Sequence, residues 1–181
     1  MKWPFLNLFW PSAEDTAARQ LYRATVAQAR QVKFYTDWRV PDSVTGRFDL
    51  ISLHGFLVLH RLKNDPTAAS FAQNYAGALF EDMDRNLREM GVGDLSVGKK
   101  IRRMAEGFFG RSAAYNKALA EGGEPLTDVL ERNLYGVLEM RNEAILDAVA
   151  SYVRRCVDHL AAQGVADLTA GRISFAPLSE D

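Results

Sequence analysis

Charged side chains that could bind a partner or take part in chemistry are concentrated in residues 80–103, where the charge changes sign along the chain. The segment from 81 to 94 carries five acids and two arginines, whereas the segment from 95 to 103 carries four bases and no acid. The acids are Glu81, Asp82, Asp84, Glu89 and Asp94, and the bases are Lys99, Lys100, Arg102 and Arg103. A helix dipole favours cations at the end of one helix and anions at the start of the next, so this order runs against it. Local helix stability therefore does not explain the order, and either the two helices pair their charges or a partner binds them.

The acidic half of this segment has local partners if it is helical. Glu81 and Arg85 are four residues apart, as are Asp84 and Arg88, and both pairs run in the stabilising order. A solvated helix face whose charges pair with one another is therefore one interpretation of this half.

The basic half is less well balanced by its neighbours in the sequence. Lys99 and Arg103 repel each other at helical spacing, and Glu106 is the acid near enough to offset Arg103. If the two helices form an antiparallel hairpin, Glu89 and Asp94 partly neutralise these bases. Binding of a partner is the alternative, and both interpretations stay open because exposed ion pairs contribute little to stability.

The residue types needed for catalysis or metal binding do not come together in the sequence. His54 and His60 are six residues apart and fall on different faces of one helix, so they cannot share a metal ion without other ligands. There is no Glu-x-x-His pair, no phosphate-binding loop and no serine in a nucleophile elbow. The sequence therefore predicts no catalytic residue, no cofactor and no metal, and an enzyme is the weakest interpretation.

Composition places the chain among ordinary globular domains. It has 181 residues, 22 Lys and Arg, 23 Asp and Glu, and a net charge of −1, which argues against a nucleic-acid-binding protein and predicts no DNA partner. The one cysteine, Cys156, cannot form an internal disulfide, as is typical of a reducing compartment. It falls in an amphipathic stretch, so we expect a small buried side chain rather than a nucleophile.

Residues 1–11 form an apolar arm with a single charge, Lys2. Its apolar side chains are Trp3, Phe5, Leu6, Leu8, Phe9 and Trp10. Either the arm packs on the rest of the protein, or it lies in a membrane interface or a partner groove. It has the features of neither a signal peptide nor a transit peptide, so we expect a cytoplasmic protein, with peripheral contact to the inner membrane as an option.

Helical periodicity runs through nearly the whole chain and predicts a single all-α domain at 12–181, after the arm at 1–11. We expect a bundle of about six helices followed by an extended tail that lies against the bundle. The predicted helices run from about 12 to 34, 47 to 64, 66 to 90, 94 to 119, 125 to 140 and 143 to 163, and the tail from 167 to 181. Gly91 and Gly93 are expected to form the hinge at the charge reversal, with Asp94 as the N-cap of the next helix.

Several short motifs in this chain resemble those of one known family. They include GRFD at 46–49, the run DMDRNLREMGVGD at 82–94, and VGKK at 97–100. Together they resemble the ubiquinol–cytochrome c chaperone family, an assembly-factor group that acts on cytochrome b of the respiratory ubiquinol–cytochrome c reductase. The resemblance extends from about residue 21 to residue 160 and is strongest at the charge reversal.

The resemblance implies a helical assembly chaperone without catalytic activity that binds newly made cytochrome b. Mitochondrial members also work with a small helical partner and associate with the ribosome, so these are implied partners too. The chain lacks their transit peptide and long N-terminal extension, and it therefore resembles the short bacterial members. The implied client surface is a groove beside the third and fourth predicted helices, flanked by charged residues. These are Asp82, Asp84, Arg88, Lys99, Lys100 and Arg103.

Two other functions remain as alternatives at this point. The aromatic arm and the apolar run at 50–59 would suit a peripheral membrane protein that binds lipid or quinone. The four bases after the charge reversal would suit a module that binds RNA or the ribosome.

Overall fold

Helices make up all the regular secondary structure in the part of the chain that the computed structural model describes, residues 12–136 and 142–178. They are α1 (Ala13–Ala29), α2 (Lys33–Thr36), α3 (Val44–Leu62), α4 (Ala69–Glu89), α5 (Asp94–Leu119), α6 (Leu126–Leu134), α7 (Glu143–Ala161) and α8 (Val165–Thr169), with a short 3₁₀ helix (Pro66–Ala68) directly before α4. This confirms the predicted all-α fold and its six longer helices, to which the structure adds the short α2 and α8. None of the helices in these ranges is long and apolar enough to span a bilayer. The arm residues Trp3, Phe5, Leu6, Phe9 and Trp10 lie outside the described residues, so both interpretations of the arm stay predictions.

Side-chain caps set where α1 and α3 begin. Ser12 and Asp15 form a reciprocal capping box before α1, in which the Asp15 amide donates to Ser12 Oγ at 3.0 Å. Ser43 Oγ accepts from the Gly46 amide at 3.1 Å and caps α3. Because of this cap, α3 begins three residues earlier than the sequence predicts.

The predicted first helix is two helices in the structure. α1 ends at Ala29, and α2 follows after a short break. The break lets Phe34 turn into the core, where its ring centroid lies 5.2 Å from that of Trp38 and 5.6 Å from that of Tyr152. Burial of this aromatic ring therefore outweighs continuation of the helix.

The C-terminal half also departs from the predicted boundaries. α6 ends at Leu134, earlier than predicted, and the first residues of the predicted tail belong to α8. Extended chain follows α8. In that extended part Ile173 and Phe175 pack on the core and Ala176 is buried, which confirms the predicted course of the tail beyond α8.

α3 is the central helix of the bundle, as its apolar sequence predicts. Leu53 and Leu57 belong to a buried cluster with residues of α6 and α7, whereas Val58 and Leu62 belong to a second cluster with residues of α1 and α4. Cys156 on α7 is fully buried in the first cluster, and burial raises the pKa of its thiol. The prediction of a small buried side chain at this position is therefore confirmed.

α5 is the longest helix, and its first half is lightly packed. Within the fully described stretch from 94 to 107, Val97 is the one buried side chain, and Ile101 and Met104 are partly buried. The second half is held in the bundle by Phe108 and Tyr115, both of which are fully buried. The start of α5 therefore presents most of its surface outward.

Candidate partner-binding site

A Schellman motif ends α4 at the charge reversal. The Val92 amide donates to the Leu87 carbonyl at 3.0 Å, and the Gly91 amide donates to the Arg88 carbonyl at 2.9 Å. Gly91 has a φ of +81°, a left-handed conformation that favours glycine, so its predicted role at the C′ position fits the backbone. Gly93 has an extended conformation instead, with a φ of −64° and a ψ of 148°.

The predicted N-cap of α5 is displaced by one residue. Gly93 holds the N-cap position, and Asp94 is the first residue inside the helix. There Asp94 stabilises the positive end of the helix dipole and forms an ion pair with Arg88 at the end of α4. The N-cap assignment of Asp94 is therefore wrong, because the residue acts through its charge on α4 and the helix dipole rather than through a capping hydrogen bond.

The acidic half of the segment is largely paired within the protein. Arg88 Nε lies 2.6 Å from Asp84 Oδ2, which confirms the predicted pair. Glu81 does not pair with Arg85 as predicted. Its Oε2 lies 2.6 Å from Nη2 of Arg19 on α1, a partner that only the packing of α1 on α4 provides.

Asp82 ties α1 to α4. It forms an ion pair with Arg85, and the Tyr22 hydroxyl donates to Asp82 Oδ2 at 2.9 Å. Burial, and then the charge of Asp82, raise the pKa of Tyr22 well above its usual range, so the hydroxyl stays protonated as a donor. Asp82 thus has an internal structural contact beside any role on the surface.

The basic half lies in solvent. Lys99, Lys100, Arg102 and Arg103 are all exposed, and none of them has an ion pair in residues 12–136 or 142–178. The predicted neutralisation by Asp94 does not occur, because that carboxylate pairs with Arg88. Four positive charges therefore stand on the first three turns of α5 without an internal counterion there.

Apolar side chains stand among these bases. Leu95 is 102% exposed and Phe109 is 55% exposed. With Arg102 between them they recur at seven-residue intervals, which places all three along one outward stripe of α5. At one end of this stripe the Phe109 ring centroid lies 5.9 Å from that of the partly buried Phe80 on α4. We call Leu95, Lys99, Lys100, Arg102, Arg103 and Phe109 the α5 surface.

Sequence reasoning identified three of the bases of the α5 surface as site residues and missed its apolar members. A signal for Phe109 was present, because adjacent residues on a helix point about 100° apart, so Phe108 and Phe109 cannot both face the core. Leu95 carried no such signal. Its exposure follows from its place on the face of α5 opposite the buried Val97, which lies two residues further along the helix.

The histidines are separate and structural. His54 is fully buried, with Nδ1 2.8 Å from the Leu50 carbonyl and Nε2 2.9 Å from the Tyr152 hydroxyl. Burial lowers its pKa to about 4, so the ring is neutral at pH 7. His60 contacts Asn116, and no group of three metal-ligating side chains lies together in the described part of the chain.

The α5 surface, in contrast, combines exposed bases with exposed apolar side chains. It is suited to binding a partner through charge and apolar contact.

Comparison with known proteins identifies the family. Residues 36–175 match the family described as Ubiquinol-cytochrome C chaperone. The chain is 25% identical over 166 residues to ubiquinol-cytochrome-c reductase complex assembly factor 1 of Xenopus laevis, covering 91% of this chain and 82% of that protein. It is 23% identical to the Homo sapiens protein of the same name, over 55% of its length. The crystal structure of the Cbp3 homolog from Brucella abortus superposes with a TM-score of 0.80 at 38% identity, over 92% of each chain. The chain belongs to the ubiquinol–cytochrome c chaperone family.

Proposed function

We propose that this protein is an assembly chaperone that binds cytochrome b during biogenesis of the respiratory ubiquinol–cytochrome c reductase, without a catalytic step. The observation that carries the choice of site is the α5 surface, with four exposed bases that lack ion pairs in the described residues and two exposed apolar side chains. Family membership supports the role in assembly of this complex. The identity of the client and the contact surface are the parts that we add.

The physical reason is the nature of the client. A membrane subunit that is not yet assembled exposes apolar segments together with the charged residues that flank them. Burying the fully exposed Leu95 under such a segment would contribute about 1.5–3 kcal/mol, and burying the exposed half of Phe109 roughly half as much. Acidic flanks of the client would pair with Lys99 and Arg103, which have no competing partner in the described chain.

The acidic members of the predicted site have a secondary role in this proposal. Asp82, Asp84 and Arg88 already have internal partners, so a client must exchange those contacts or approach beside them. We therefore place Lys99, Lys100 and Arg103 at the centre of the contact and these three at its edge.

The test is recovery of cytochrome b with the tagged protein from detergent-solubilised membranes, compared with charge-reversal variants. The double variant Lys99→Glu and Arg103→Glu should lower recovery at least about tenfold, because attraction becomes repulsion across the contact. The double variant Arg23→Glu and Arg30→Glu is the matched control, since it reverses two exposed cations, one on α1 and one directly after it. Recovery should also fall as salt is raised.

Two outcomes would contradict the proposal at different levels. If the wild-type protein never recovers cytochrome b in several detergents, cytochrome b is not the client. If wild-type recovery is strong and the α5 variant matches the α1 control, the client binds elsewhere on the protein. Ribosome co-sedimentation of the same variants covers the alternative that the four bases bind RNA.

A further inference from the structure

An uncharged patch with two aromatic rings lies where α4 and α5 pack against each other. The Phe80 and Phe109 rings form its centre, with their centroids 5.9 Å apart. Phe80 is partly buried, whereas 55% of Phe109 is exposed. Because the two helices are antiparallel, Ala76 on α4 and Ala113 on α5 both lie about one turn further along the same seam. We call Ala76, Gly77, Phe80, Phe109 and Ala113 the aromatic patch.

The aromatic patch is low and apolar enough for a segment of chain to lie on it. A single exposed apolar side chain needs no explanation, but Phe109 stands beside a second ring and among small residues. No atom lies within 4 Å of the position that a Cβ of Gly77 would take, so α4 is uncovered at this edge. An apolar segment can therefore cover the patch without burying a charge.

The start of α1 lies beside this patch. Asp15 and Arg19 of α1 line a cavity of about 130 Å³ together with Gly77 and other residues of α4. Ser12 is the N-cap of α1. Residues 1–11, the apolar arm, therefore join the described chain next to the edge of the aromatic patch.

The arm has the length and the composition to cover the patch. Gly77 and Phe80 are three residues apart on α4 and are neighbours on its surface, with Phe109 directly beyond them. The residues 1–11 reach about 35 Å when extended, which is several times this separation. The arm carries large apolar side chains from Trp3 to Trp10 and no acid, so it suits an uncharged aromatic surface.

We propose that the N-terminal arm folds over the aromatic patch and covers Phe109 until a client displaces it. Phe109 belongs both to the aromatic patch and to the α5 surface, so the arm and a client compete for it. The arm thereby shields an exposed aromatic side chain while the protein has no client. The competition rests on the function proposed above, whereas docking of the arm does not.

A disulfide experiment on the whole chain tests docking of the arm without a client. Asn7→Cys leaves every apolar side chain of the arm in place, and Ala113→Cys puts the second thiol in the aromatic patch. The matched control combines Asn7→Cys with Ala170→Cys, at another exposed alanine, next to Gly171, which packs on a different face of α1. The native Cys156 is fully buried and does not compete.

Disulfide formation in dilute protein under mild oxidation is followed on non-reducing gels. The pair at positions 7 and 113 should form at least about tenfold faster than the control pair, because docking raises the local concentration of one thiol at the other. Adding Phe109→Ser should lower the faster rate to that of the control. Equal rates for the two pairs, or a faster control pair, would overturn the proposal.

Recovery of cytochrome b from detergent-solubilised membranes tests the competition. The oxidised protein with Asn7→Cys and Ala113→Cys has its arm fixed on the patch. It should recover at least about fivefold less cytochrome b than after reduction, because apparent affinity scales with the fraction of protein whose site is free. The single variant Asn7→Cys, treated in the same way, is the control and should not change.

The outcomes separate the two proposals. Strong recovery by the wild-type protein together with equal recovery before and after reduction would show that the arm does not compete with the client. If the wild-type protein recovers no cytochrome b, the assignment of the client fails. The disulfide rates then decide alone whether the arm docks on the aromatic patch.

Discussion

Two buried ionisable side chains lie five residues apart on α3, and their surroundings differ. His54 has both ring nitrogens in hydrogen bonds, and the Tyr152 hydroxyl that it contacts also accepts from Gln28 at 2.9 Å. Asp49 has a single cation beside it and a cavity in front of it. α3 therefore takes part in two different polar sites. We call His54, Tyr152 and Gln28 the closed network, and Asp49 with Arg111 the open site.

The two sites respond to burial in opposite directions. Burial disfavours the imidazolium and lowers the pKa of His54 to about 4. Burial also raises the pKa of Asp49 to about 6, because desolvation of the carboxylate outweighs the attraction of Arg111. The comparison teaches that a buried polar group contributes to the fold when its hydrogen bonds are complete and costs stability when they are not.

The substitution with the largest expected effect removes a member of the closed network. His54→Ala should lower the free energy of unfolding by about 3 kcal/mol, because it leaves a cavity and removes a partner of the Tyr152 hydroxyl. Urea unfolding at pH 7 measures this loss. His60→Ala, at a half-buried ring, is the control and should cost less than half as much. A loss below about 1 kcal/mol at His54 would mean that the closed network contributes little to the fold.

Lowering the pH should change the stability of the protein in opposite directions through His54 and through Asp49. The unfolded His54 ring takes up its proton near pH 6.5 and the folded ring near pH 4, so stability falls as the pH drops through this window. The folded Asp49 takes up its proton near pH 6 and the unfolded one near 3.8, so stability rises as the pH drops through that window. In the wild-type protein these two contributions largely cancel between about pH 6 and 4.

Single variants should reveal each contribution. Relative to wild type, the stability change from pH 7 to 4.5 should be more favourable by about 2 kcal/mol in His54→Gln and less favourable by about 2 kcal/mol in Asp49→Asn. Urea unfolding at several pH values measures both. Parallel pH profiles for the two variants would show that the two side chains do not titrate as their burial requires.

A smaller and more closely matched test uses two buried tyrosines. Tyr152→Phe should cost about 1–2 kcal/mol of unfolding free energy, since it leaves His54 and Gln28 without a partner. Tyr115→Phe should cost close to zero or stabilise the protein slightly, since that hydroxyl has no hydrogen bond to lose. Both rings are fully buried, and each substitution keeps the ring and removes only a hydroxyl, so the two variants can be compared directly. Equal losses would remove the distinction between the closed network and the open site.

The hydrophobic pattern was sufficient to predict much of the fold. Helical periodicity predicts the all-α class, the longer helices and the central position of α3, because a buried helix is apolar on most sides. The end of α1 was misplaced because Phe34 is drawn into a ring cluster with Trp38 and Tyr152, residues that the local sequence does not bring near it. Helix ends depend on such distant contacts more than helix interiors do.

The candidate site was predicted in part. The bases at the start of α5 and the left-handed glycine at 91 follow from residue type and spacing, and the structure places those bases in solvent. Whether they bind the client stays a proposal. Leu95 and Phe109 were missed because exposure of an apolar side chain depends on which face the neighbouring helices cover. The cavity that Asp49 lines was not predicted, although Asp49 is the last residue of the GRFD motif.

The sequence by itself determined the periodic and local features of this protein: its helices, the Schellman turn at Gly91, the pair of Asp84 with Arg88, and the burial of Cys156. These features depend on residues within one or two helical turns of each other. Only the tertiary structure decided that Glu81 pairs with Arg19 and that Asp49 lies against Arg111. Such contacts join helices distant in the sequence, and their partners are set by how the helices pack rather than by spacing along the chain.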